Sequence, residues 1–124
     1  MIWSSMEHVI KYVHKTLSND KLDVPTATHA PKNTPDVFAL VDRTGGEMDY
    51  PHDRPEYSVS IWARSEDKCE ELAHVLAIGL KTKPPDDDHI NAHGVPTVFS
   101  YGQEAGGFFI WQVTFNLVVN IQDE

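Results

Sequence analysis

The stretch Phe108-Phe109-Ile110-Trp111-Gln112-Val113-Thr114-Phe115-Asn116-Leu117-Val118-Val119-Asn120-Ile121 reads as one long strand. Phe109, Trp111, Val113, Phe115, Leu117, Val119 and Ile121 fall on one wholly apolar face, and Gln112, Thr114, Asn116 and Asn120 give a mixed opposite face. Successive strand side chains point to opposite sides. This alternation therefore sets one face against helices and turns the other to solvent or a partner. A matching helix lies upstream. Ser65 is a good N-cap, and Glu66 and Asp67 put negative charge on the first turn. Cys69, Leu72, Ala73, Leu76, Ala77 and Leu80 recur at i, i+3, i+4, i+7, i+8 and i+11, the spacing of one buried helical face. Lys81 and Lys83 suit the C-terminal dipole, and Pro84-Pro85 stop the helix.

Working outward, Ser5 to Leu17 predicts a second helix. Ser4 and Glu7 have the capping-box spacing, and Met6, Val9, Ile10, Val13 and Leu17 share one face. Pro25, Pro31 and Pro35 break any periodicity over residues 21–36, which read as an extended arm or long loop and a candidate contact element. Val37 to Thr44 and Glu56 to Arg64 read as strands, with Gly45-Gly46 as a tight turn and Tyr50 to Pro55 as a polar segment between them. Asp86 to His93 reads as a charged loop, Val95 to Tyr101 as a strand and Gly102 to Gly107 as its turn. The order helix, strand, strand, helix, strand, strand predicts an α+β fold: a mostly antiparallel four-stranded sheet with two helices packed on one face, as a single domain over residues 1–124. A last strand that outruns its neighbours leaves backbone free for pairing between subunits.

Composition narrows the function. A chain of 124 residues buries roughly two-thirds of its unfolded surface and folds without a disulfide or metal. The formal net charge is −9, from 10 Lys and Arg against 19 Asp and Glu. The lysines are scattered, so the basic stripe that specific nucleic-acid binding needs is missing. Cys69 stands alone, which excludes an intramolecular disulfide and a cysteine-based zinc site and fits a reducing cytosol. Met1 to Ser5 lacks the basic and apolar regions of a secretory signal, and no apolar run approaches the roughly 20 residues that span a bilayer.

Few residues form a chemical constellation. His89 and His93, beside Asp86-Asp87-Asp88, carry zinc-type ligands four apart, but that spacing converges only on a helix. Structural sites want four ligands and two or three converge here, so the acidic run reads first as a solvated loop. A small metal- or ligand-binding module built on His89 and His93 is the alternative function. Cys69 with His74 has the residue types of a nucleophile and base, yet Cys69 sits on the core stripe of its helix, where a thiol is inert packing. Gly45-Gly46 and Gly106-Gly107 lack the residues of a phosphate loop and read as hairpin turns. Asp53-Arg54-Pro55 is a charge pair at a strand entry that locks the strand locally or bridges to a neighbour. Trp62 lies with Ser58 and Ser60 on the polar face of its strand, a position for an interface anchor or for packing under a loop. No catalytic residue and no cofactor are expected.

The runs Val41-Asp42-Arg43-Thr44-Gly45-Gly46, Asp53-Arg54-Pro55 and Val59-Ser60-Ile61-Trp62-Ala63-Arg64-Ser65, followed by a helix carrying Glu71-Leu72-Ala73 and ending at Leu80, resemble the tail terminator (tail completion, head-to-tail joining) proteins of long-tailed bacteriophages. The similarity covers most of the chain after Val37, and the first helix fits the family's leading helix. The resemblance implies a non-enzymatic structural protein of the virion tail, assembled in the host cytoplasm as a homo-oligomeric ring, expected to be a hexamer. Such a ring caps the tail tube, ends its polymerisation and meets the head connector or stopper protein, while DNA passes through the lumen unbound. It implies subunit contacts at Arg43, Asp53 and Arg54, and contacts to neighbours or the tube from the turn at Gly45 and Gly46 and from the arm between Pro25 and Pro35. Relatives often carry a basic residue near the last strand, where this chain has Phe108 to Gln112.

Overall fold

Two helices and eight strands follow one another in a computed structural model that describes residues 2–123. Helix α1 spans Ser5–Leu17, and the Ser4 hydroxyl accepts the Glu7 amide at 3.1 Å. Strands β1 (Thr26–Ala27), β2 (Val37–Gly45), β3 (Met48–Asp49), β4 (His52–Asp53) and β5 (Glu56–Ala63) precede helix α2 (Glu66–Thr82). Strands β6 (Ile90–His93), β7 (Thr97–Gln103) and β8 (Phe109–Asn120) complete the chain. The α+β class is as predicted. The four expected strands are β2, β5, β8 and β7, which lie in that spatial order and pair antiparallel.

The sheet nevertheless has eight strands rather than four, and it is mixed because β1 runs parallel to β2. Two further expectations are corrected with it. Residues 90–93 form β6 where the sequence suggested a loop, and the polar segment before Pro55 holds most of a small hairpin, β3–β4. The physical reason lies in β8. Residues 109–116 pair with β5 and residues 109–114 with β7, and the end of the strand from Leu117 to Asn120 outruns both. Backbone amides and carbonyls left bare there would cost free energy. Short segments of the same chain take them up: β6 pairs with residues 117–119 and β4 with residues 119–120, and the Ile121 amide donates to the Pro51 carbonyl. The long strand therefore offers no free backbone to a second subunit.

The core lies between the sheet and the helices. Val9, Val13 and Leu17 of α1 and Cys69, Leu72, Ala73, Leu76 and Leu80 of α2 pack with Val59, Ile61, Val113, Phe115 and Leu117, all buried. Tyr57 joins them, its hydroxyl hydrogen-bonded to that of Ser5 under the first turn of α1. The residues 21–36 are tied down at one end: Val24 is buried in the core, and the Ala39 amide donates to the Pro25 carbonyl at 2.9 Å. From there the arm passes to the other face of the sheet, where Thr28, Ala30 and Thr34 border shallow clefts over Ser60, Phe38 and Trp62. No helix among the described residues is long and apolar enough to cross a membrane.

Candidate functional site

The residues singled out around the Gly45-Gly46 turn converge on one structure, the base of the β3–β4 hairpin. Strand β2 bulges between Arg43 and Gly45, and ends with Gly45 paired to Glu56 of β5. Gly46 then turns the chain with φ +108°, a region that favours glycine. A side chain at Gly46 would place its Cβ 2.0 Å from the Arg54 carbonyl oxygen, whereas at Gly45 it would meet nothing within 4 Å. Only the second glycine is required by the turn.

Arg43 closes this base. Its two terminal nitrogens donate to the two carboxylate oxygens of Asp53 at 2.7 and 2.8 Å. Its Nε donates to the Gly45 carbonyl at 3.1 Å, and Nη2 also reaches the Gly46 carbonyl at 3.2 Å. Forked charge-assisted pairs of this kind are short and directional. Asp53 is only 4% exposed, and its bond to Arg43 raises the guanidinium pKa still further, so the cation is permanent. The Arg54 amide donates to the Glu47 carbonyl at 2.9 Å, fastening the turn from the other side. Past this brace the hairpin carries two large exposed side chains, Met48 at 57% and Tyr50 at 59%.

The sequence expectation for Asp53-Arg54 is corrected: the partner of Asp53 is Arg43, ten residues away, and Arg54 is exposed with no ion pair among the described residues. Trp62 stands apart from the hairpin. It stacks on Phe38 at 5.4 Å between centroids, meets the edge of Phe108, and donates its indole N–H to Ser60. Arg64 caps the cluster 3.8 Å above the Phe108 ring. Half-buried there, Trp62 follows the packing-under-a-loop reading more than that of an open anchor.

His89 and His93 do not converge. His89 bonds Asp87 at 2.7 Å and stacks flat on Trp3, 4.6 Å between centroids. The His89 backbone and ring bonds pull the Asp87 carboxyl below its usual range. His93 is exposed on β6, where extended chain replaces the helical turn that would align the two rings. No group of three or more His, Cys, Asp or Glu able to hold a metal occurs among the described residues. The Cys69 thiol lies buried against the Ile61 carbonyl at 3.0 Å, and burial pushes its pKa up to about 11. His74 bonds the Glu70 carbonyl one turn back and leans on Trp111, away from any pairing with the thiol.

Sequence reasoning missed Met48 and Tyr50, because Glu47-Met48-Asp49-Tyr50 sits among charges and prolines and reads as polar. The available signal was two large apolar residues caught between a turn glycine and Pro51, with no core position for either. Compared with known proteins, the chain matches no family model and no curated sequence.

Proposed function

We propose that this chain is a structural assembly protein of the phage tail terminator type, a non-catalytic ring subunit that caps a tail tube and joins it to the head connector or stopper protein. The observation that carries the reading is the hairpin. Arg43, Gly46 and Asp53, positions that the resemblance implies at subunit contacts, build a rigid base under an exposed pair of large side chains. A preorganised, exposed apolar tip loses little freedom on docking, which is what an assembly contact needs. Gly45 and Arg54 flank that base, and Trp62 supports the sheet face beneath the arm. The protein works in the virion tail after assembly in the host cytoplasm, and DNA slides through the lumen of a ring whose subunits each carry a net charge of −9.

The test is negative-stain microscopy with light scattering, at several concentrations, with and without the cognate tail-tube protein. Rings, or tubes of defined length closed at one end, are the expected outcome. A chain that neither assembles nor changes tube length overturns the reading.

A further inference from the structure

Two surfaces of this chain complement each other without sharing a residue. The first is the braced hairpin tip, where Met48 and Tyr50 are exposed and alternate along the chain with the exposed acids Glu47 and Asp49. The second is a groove of about 610 Å³ between α1 and the end of α2. Gly79 lines the groove where the helices come close: a Cβ there would come 3.0 Å from the Thr16 side chain and 3.3 Å from the Tyr12 hydroxyl. The Tyr12 hydroxyl donates to the Lys83 carbonyl at 2.8 Å and fixes the wall, and Pro84 ends it.

The charges match. Lys11, Lys15 and Lys83 border the groove, three of the ten Lys and Arg residues in a chain with 19 acids, and His8 stands beside them. The opposing groups there are Asp86, which lines the groove, and Glu7, which pairs with Lys11 across exposed solvent at 3.3 Å. On the hairpin the cationic groups are His52 and Arg54, against Glu47 and Asp49. An acidic, apolar tip thus faces a basic cleft with room for two large side chains, within the size range of a binding pocket.

We propose that the hairpin tip of one copy docks in the α1–α2 groove of a second copy, with Met48 and Tyr50 as the inserted side chains and Lys11, Lys15 and Lys83 meeting Glu47 and Asp49. Tip and groove are different surfaces, so the contact is head-to-tail, the type that generates rings when its rotation closes. The proposal deepens the ring reading by naming its contact, and it rests on that reading for its biological role.

The experiment is sedimentation velocity on the full chain over a concentration series, with circular dichroism as the check on folding. Met48→Ser/Tyr50→Ser removes the tip and Lys11→Glu/Lys15→Glu reverses the groove, all at side chains outside the core. The wild-type chain is expected to associate with rising concentration, and each double variant to associate about tenfold more weakly or worse. An equimolar mixture of the two variants is expected to give a 1:1 heterodimer and nothing larger, because one intact tip meets one intact groove. Wild-type chain that stays monomeric, variants that associate like the wild type, or a mixture that does not pair overturns the docking. Variants that still cap tail tubes remove this contact and leave the terminator reading standing. Association that depends on both surfaces, in a chain that caps no tube, leaves the docking and removes the terminator reading.

Discussion

Gly45 and Gly46 are neighbours with opposite requirements. The backbone of Gly46 lies at φ +108° with the Arg54 carbonyl where a Cβ would sit, while Gly45 has open space. Gly46→Ala is expected to lower stability by about 2 kcal/mol or more, and Gly45→Ala to change it by less than about 0.5 kcal/mol. Urea unfolding midpoints check both, and equal effects would contradict the turn described. Arg43 belongs to the same base. Removing it strands the Asp53 carboxylate, 6% exposed at the side chain, in a site where it pairs with no other cation among the described residues. Arg43 is itself 34% exposed, so the loss for Arg43→Ala is expected at the low end for a broken buried pair, about 3 kcal/mol. Arg43→Lys should recover little of it, since an ammonium cannot bridge both carboxylate oxygens and two carbonyls. Cys69 gives a pH test. Burial raises its pKa from 9.0 to about 11, so its contribution to stability is complete below pH 9 and is lost as pH rises through about 11. At pH 8 the folded thiol is expected to react with an alkylating reagent only as fast as the core opens; immediate labelling would show an accessible site.

At the scale of elements, β8 and the arm are the two extremes. Strand β8 is paired on both sides, and Val113, Leu117 and Val119 are fully buried. The arm residues 28–34 are mostly exposed and have no strand partner. Native-state hydrogen exchange is expected to be slowest in β5 and the first half of β8, near the global unfolding free energy, and fastest across residues 28–34. Protection of the arm comparable to β8 would mean that it is ordered by contacts not seen here. The same contrast explains which elements were legible. Helix α1 spans the residues where Ser4 and the apolar spacing place it, and the long strands declare themselves by alternation. Strands β1, β3 and β4 have two residues each, too few for any period to show, and they exist because a neighbouring strand offers unpaired backbone.

On the scale of the whole molecule, the candidate site was legible only in pieces. Arg43, Gly46 and Asp53 could be picked from the chain one by one, yet nothing in their spacing says that Asp53 pairs across the hairpin with Arg43 rather than with its neighbour Arg54. Met48 and Tyr50 left only a faint signal in the chain, and the groove of Lys11, Lys15 and Lys83 left none, because each joins residues whose exposure depends on distant packing. What the amino-acid sequence determined by itself is the α+β class, the two amphipathic helices, the long strands and the face each buries, since these follow from local periodicity and capping. What only the tertiary structure decided is the eight-strand pairing, the hairpin braced by Arg43 and the cleft between the two helices. Those depend on backbone groups that must find partners, and on side chains meeting across tens of residues, which no local pattern encodes.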